Sequence, residues 1–286
     1  MIWMNMVNDL RSVPNIRQNY QFWFYQYPTS QPFWISATKF RKTLDNLYQN
    51  LDPKQRHEKL HQTVLIGHSM GGLISLMQTI DSQNEMWNLV SFKPFGQLQA
   101  SQYIRQNLAN TVFFQPNPSV TKVITIATPF QGSVMANDYT KWIGETLFKL
   151  PEQTDVITNQ LVKENPGLFH NTKLLTTQTS LESLEPGGEI FSFLQSAHRN
   201  PNTRYHNIYG NTPSSTIIKK LTSASDGVIT TASAKSVQAH TQTTVDANHL
   251  SITDAPATIL EVGKILRLEL NRNPQPARIT TSQISQ

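Results

Sequence analysis

Apolar residues in this chain fall into short runs separated by polar stretches, and the runs follow two different periods. Thr63-Val64-Leu65-Ile66, Lys122-Val123-Ile124-Thr125-Ile126-Ala127 and Arg204-Tyr205-His206-Asn207-Ile208-Tyr209 are rich in β-branched and aromatic residues. They close at Gly67, Thr128-Pro129 and Gly210. Near-continuous runs of that kind, bounded by turn residues, read as strands buried on both faces. Lys235 to Val245 reads as a further strand, as does the aromatic run Tyr20 to Tyr27, which Pro28 ends. Helical spacing governs other segments: Phe40, Leu44, Leu47 and Leu51 within Ser36 to Leu51, and Leu73, Ile74, Leu76, Met77 and Ile80 after Gly72. Met1 to Arg11 and Ala255 to Leu270 read as flanking helices, the second with Asp254 as cap and Pro256 in its first turn. Strands alternating with helices predict an α/β fold, a mostly parallel sheet with helices on both faces, whose ligands gather at the strands' carboxyl ends.

Two long segments interrupt the alternation. Near 83–120 and 134–203 the chain inserts material at predicted strand ends, where loops set selectivity, so both are expected as helical cap elements. The second carries Tyr139, Trp142, Ile143, Thr146, Leu147 and Leu150 on one helical face. With 286 residues, the chain is expected to form a single domain over 1–270 with a polar tail at 271–286.

Composition narrows the chemistry. The chain has no cysteine, which excludes disulfides, thiolate metal sites and a thiol nucleophile. The net charge of +5 is scattered, without an aromatic-lined basic stripe or a nucleic-acid motif, so nucleic acid is not expected as a partner. No apolar run approaches membrane-spanning length, and Met1 to Val7 lacks the form of an export signal. The localisation expected by default is cytoplasmic, with export or anchoring open if sequence precedes Met1.

Catalytic chemistry centres on Gly67-His68-Ser69-Met70-Gly71-Gly72, which sets a serine between glycines where an apolar strand meets a helix. A serine on such a bend takes a sparsely allowed conformation and needs small neighbours two positions away. The following helix aims its N-terminus at the hydroxyl, and the backbone N–H of Met70 becomes a donor for an oxyanion. An attacking serine needs a base, and the base an orienting acid, in the chain order serine, acid, histidine. Asp226, in Ser225-Asp226-Gly227-Val228-Ile229, and His249, in Asp246-Ala247-Asn248-His249-Leu250, follow predicted strands in that order. Asp246 and His240 are the alternatives, less well placed because they lie at or within the last strand.

With these motifs in hand, the chain resembles an α/β-hydrolase of the lipase/esterase kind, near the bacterial branch similar to eukaryotic GPI-inositol deacylases. The resemblance runs from Trp3 to about Leu268. Besides the serine motif, the acid and the base, its carriers include Ala127-Thr128-Pro129-Phe130-Gln131-Gly132-Ser133. That branch usually has histidine where this chain has Phe130. The resemblance implies Ser69 as nucleophile, Asp226 as acid, His249 as general base and Met70 N–H as oxyanion donor. Phe130, Gln131 and Trp142 are the candidate substrate contacts. It implies no cofactor, and a small-molecule or lipid ester as substrate; contact with a membrane surface and the oligomeric state stay open. Hydrolysis of carboxylic esters through an acyl-enzyme is the expected activity, and transfer to another alcohol uses the same intermediate.

One piece is missing. Enzymes of this kind take a second oxyanion donor from a loop after an early central strand. No such strand precedes Met1-Ile2-Trp3, so the start is expected to be truncated or misplaced and the activity impaired. This leaves a catalytically impaired hydrolase-fold binding protein as the alternative. A further rival is a zinc metallopeptidase, because His57-Glu58-Lys59-Leu60-His61 matches H-E-x-x-H. Against it, Pro53 leaves little room for a helix, and no third ligand is near.

Overall fold

The computed structural model describes residues 2–28, 31–133, 153–177, 179–212, 224–236 and 238–272. Among them the strands are β1 (Thr63–His68), β2 (Ile80–Asp81), β3 (Val120–Ile126), β4 (His198–Arg199), β5 (Arg204–Gly210) and β6 (Thr241–Val245). The apolar runs become neighbours: β1, β3, β5 and β6 lie in that order, every pair parallel. His68 faces Ile126, Ile126 faces Ile208 and Gly210 faces Val245, so all four strands finish at about one level. Helix α4 (Met70–Leu76) follows β1 directly, and α1 (Met4–Ser12), α2 (Pro14–Asn19) and α3 (Phe33–Leu51) precede that strand in the chain.

The chain divides into two compact units, Tyr25–Ile252 and the pairing of Met1–Phe24 with Thr253–Gln286. In the larger unit, α3 turns Phe33, Trp34, Ala37, Phe40, Leu44 and Tyr48 inward, the face its helical spacing requires. They join Leu73, Ile74 and Leu76 of α4 and Val120 and Val123 of β3 in one core. In the smaller unit, α1 and α2 pack on the helix Pro256–Arg272, burying Met6, Leu10, Ile16, Val262, Ile265 and Leu266. Among the described residues, no helix is long and apolar enough to cross a membrane.

Two of the expected strands change. Tyr20 to Tyr27 is not a strand: α2 ends at Asn19 and the residues after it enter no ladder. A strand exists by hydrogen-bonding a neighbour, and β1 pairs only with β3 among the described residues. Aromatic packing fixes the end of this segment instead, with the Tyr25 ring 4.3 Å from that of Phe40 and 5.9 Å from that of Tyr27. The strand expected over Lys235 to Val245 shrinks to Thr241–Val245. Its first half follows a helical turn, Thr231–Ala234, capped by the Thr230 hydroxyl, and His240 lends Nδ1 to the backbone N–H of Tyr205.

The inserted segments contribute to the same core. From 83–120, α5 (Glu85–Asn88), α6 (Gln102–Val112) and their flanks bury Met86, Trp87, Val90, Val112 and Phe114. From 134–203, the helix Glu189–Ser196 buries Ile190, Phe191, Phe193 and Leu194, and β4 pairs antiparallel with β2. Residues 134–152, with Tyr139, Trp142, Ile143, Thr146, Leu147 and Leu150, lie outside the described residues, as does most of the 271–286 tail.

Candidate active site

Ser69 occupies the single-residue bend between β1 and α4 with φ 53° and ψ −127°, a left-handed conformation costly for any residue with a side chain. Its backbone N–H donates to the Ile126 carbonyl at 2.9 Å, locking the bend to the end of β3. Close approach of strand and helix explains the glycines. A Cβ on Gly67 would stand 2.5 Å from the Gly71 carbonyl carbon and 2.6 Å from the Gly72 nitrogen. A Cβ on Gly72 would stand 2.9 Å from Thr128 Cβ and Cγ2, whereas one on Gly71 would meet only the Tyr27 hydroxyl, at 3.3 Å. The indispensable pair is thus Gly67 and Gly72, and Gly71, one of the two expected from the motif, has more room.

Asp226 sits on the loop after β5. Gly210, the last residue of that strand, lets it come close: a Cβ there would lie 2.7 Å from Asp226 Cβ. Burying a carboxylate is unfavourable unless its oxygens are satisfied. Asp226, 1% exposed, accepts the backbone N–H groups of Val228 at 2.9 Å and Ile229 at 2.7 Å on Oδ1. Its Oδ2 lies 2.7 Å from His249 Nδ1. His249, on the loop after β6 and also 1% exposed, has Nε2 at 3.0 Å from Ser69 Oγ. Its own backbone N–H donates to the Asp226 carbonyl at 2.9 Å. Three residues spread over 180 positions thus form one hydrogen-bonded line, Oγ to Nε2 and Nδ1 to Oδ2, in an order that lets imidazole take a hydroxyl proton.

A fourth residue went unnoticed in the sequence. His68, the last residue of β1, reaches the His249 carbonyl with Nε2 at 2.8 Å, and the two rings lie 4.8 Å apart. Burial first, then the nearby His249, push its pKa down to about 3, against a hydrogen bond and the Asp226 charge that favour the proton. Its signal was an imidazole placed between the glycine that closes the apolar run and the serine of the motif.

Phe130 is buried in the core of the larger unit, its N–H donating to the Ser233 carbonyl and its own carbonyl accepting from Gln195. Gln131 is exposed and lines a small pocket with Phe130, Gln195, Arg199, Lys235 and Ser236. Trp142 lies outside the described residues. His240 sits at the amino end of β6, against Tyr205, and Asp246 directly follows β6.

The H-E-x-x-H segment folds as a 3₁₀ turn, Glu58–His61, not an α-helix, so His57 and His61 do not share a helix face. His61 hydrogen-bonds Ser119 Oγ at 2.7 Å and Asp52 Oδ2 at 3.2 Å, and Asp52 also accepts the backbone N–H groups of Arg56 and His57. These bonds tie the loop ahead of β1 to the start of β3. Among the described residues, no group of three histidines or carboxylates could hold a metal ion.

A parallel sheet flanked by helices, with a strained serine after its first strand and an aspartate and a histidine on the loops after its last two, forms an α/β fold whose candidate site stands at the carboxyl ends of the strands. No family model and no curated protein sequence matches the chain. Among solved structures, the mature form of the Bacillus licheniformis lipase BlEst2 is similar at TM-score 0.47 and 17% identity, over 83% of this chain and 75% of that one. Phospholipase PlaB from Legionella pneumophila is similar at TM-score 0.49 and 11% identity, over 94% of this chain and 58% of that one. The Staphylococcus hyicus lipase gives 0.40 and 16%, over 74% and 72%. The chain thus spans less than two thirds of the phospholipase. Its own strand order, and not these likenesses, defines its fold.

Proposed function

We propose that this chain is a serine hydrolase of carboxylic esters that works through an acyl-enzyme. Ser69 Oγ attacks the ester carbonyl carbon as His249 Nε2 takes its proton. Asp226 holds the ring in the Nδ1–H tautomer and offsets the charge of the imidazolium. The oxyanion is bound by the Met70 N–H, one of the first-turn amides of α4 with no intrahelical acceptor. Collapse of the tetrahedral intermediate breaks the bond to the alkoxy oxygen, which leaves as alcohol with the proton from His249. Water, deprotonated by the same imidazole, then attacks the acyl carbon and releases acid and free Ser69. The observation that carries this reading is the 3.0 Å and 2.7 Å pair of hydrogen bonds linking Ser69, His249 and Asp226 on a bend with φ 53°.

The motif resemblance to the branch near GPI-inositol deacylases points to lipid or small-molecule esters as the substrate class, with Phe130, Gln131 and Trp142 as proposed contacts. A fluorophosphonate probe tests the proposal. It should label the wild-type chain and not Ser69→Ala, and an acyl-length series of p-nitrophenyl esters would then rank substrates. One observation favours a second reading, a hydrolase fold with impaired turnover: among the described residues β1 is paired on one side only, where a central strand and its oxyanion loop would lie. Absence of labelling in a folded wild-type chain would support it.

A further inference from the structure

Every polar group of a general base has to be held if its ring is to stay aimed at a nucleophile, and at His249 three of the four are tied within the proposed triad. Its N–H bonds the Asp226 carbonyl, its Nδ1 bonds the Asp226 carboxylate and its Nε2 faces Ser69. The fourth, its carbonyl, is held by His68 Nε2 at 2.8 Å. We infer that His68 is a positioning residue for the general base: its Nε2–H donates to the His249 carbonyl and clamps the loop after β6 to the strand that carries the nucleophile.

The geometry makes the clamp rigid. His68 is the final residue of β1, and its backbone is paired in register with Ile126 and covalently joined to Ser69. The hydrogen bond therefore ties the base's main chain to the residue next to the nucleophile, across 181 positions of sequence. The two rings lie 4.8 Å apart with planes tilted by 45°, so the His68 ring also flanks the imidazole it positions. The charged and titratable groups acting on it are His249 and Asp226. A neutral neighbour suits a base that becomes an imidazolium during turnover, because a second cation there would oppose that charge. Leucine at 68 would fill comparable space without a donor. Glutamine can place an N–H close to the position of Nε2, and asparagine is too short to do so.

This inference rests on the hydrolase reading of Ser69, and the test separates the two. With p-nitrophenyl butyrate and the full chain, His68→Leu should lower kcat about tenfold to a hundredfold while KM stays within about twofold, the pattern for lost orientation and not lost binding. His68→Gln should recover most of that loss and His68→Asn should not, with thermal melts confirming that all three fold. A folded His68→Leu with wild-type kcat, or a glutamine variant no faster than asparagine, overturns the inference. An independent readout uses the wild-type chain alone: ¹⁵N spectra of the histidine rings should show His68 as the neutral Nε2–H tautomer between roughly pH 5 and 8. The Nδ1–H tautomer, whose Nε2 cannot donate to a carbonyl, overturns the clamp even if a variant fails to fold. Should the wild type neither turn over ester nor take the fluorophosphonate, the hydrolase reading fails, and the ring spectra still decide whether the clamp exists.

Discussion

Replacing Gly67 with alanine is the sharpest probe of the elbow. The added Cβ would fall 2.5 Å from the Gly71 carbonyl carbon and 2.6 Å from the Gly72 nitrogen, and both are backbone atoms with no rotamer to escape into. Ordinary contact begins near 3.4 Å, so the first turn of α4 must retreat from β1 by about 0.9 Å. Overpacking of that kind costs about 3 kcal/mol. For a chain of this size the cost corresponds to a melting temperature lower by roughly 5 to 10 °C. A retreat passed on to Ser69 takes Oγ from 3.0 Å out of hydrogen-bond reach of His249 Nε2. Misplacement by 1 Å costs on the order of a hundredfold in rate. Gly71→Ala is the matched control, since its Cβ would meet only the Tyr27 hydroxyl at 3.3 Å, the end of a side chain that can shift. Its stability change should stay within about 1 kcal/mol, helped by alanine's better helix propensity. The assay is thermal unfolding with the rate of fluorophosphonate labelling, and Gly72→Ala should fall between the two. If Gly67→Ala melts and labels like wild type, or is milder than Gly71→Ala, the account of the elbow as a steric contact is wrong.

Other outcomes follow from the same geometry. Asp226→Asn should cut kcat by about 10⁴, because an amide facing Nδ1 favours the wrong tautomer of His249, while binding of an uncleavable ester analogue stays near wild type. The pH dependence of stability should carry the signature of His68. Its folded pKa, about 3, lies below the ordinary value of 6.5, so stability is complete above the ordinary value. As pH falls from there toward 3, the unfolded chain takes up a proton that the folded one refuses, and this group removes up to about 1.4 kcal/mol per pH unit. Urea midpoints measured between those limits should fall less steeply in His68→Gln, and equal slopes would contradict the burial of a neutral ring. Incubation with a chelator should leave ester turnover unchanged, whereas loss of activity restored by zinc would revive the H-E-x-x-H reading.

The elements legible from the chain alone were those whose information is local. The β-branched runs at Thr63, Lys122 and Arg204 announce strands because period and propensity act over a few residues, and Gly67-His68-Ser69-Met70-Gly71 announces the bend because backbone sterics do too. Asp226 and His249 could be picked only as loop residues in a plausible order. Their 2.7 Å contact depends on β5 and β6 ending at the same level, a matter of register between strands. The aromatic segment Tyr20 to Tyr27 has strand composition but no neighbour to bond, and strand formation is a property of pairs. H-E-x-x-H looks like a metal helix in one dimension, but Asp52 and Ser119 hold His61 in a 3₁₀ turn. His68 and Gly210 owe their importance to partners 181 and 16 positions away, His249 and Asp226. Local chemistry is written along the chain, whereas contacts between distant residues exist only once the backbone hydrogen bonds of the sheet have set which strand ends stand side by side.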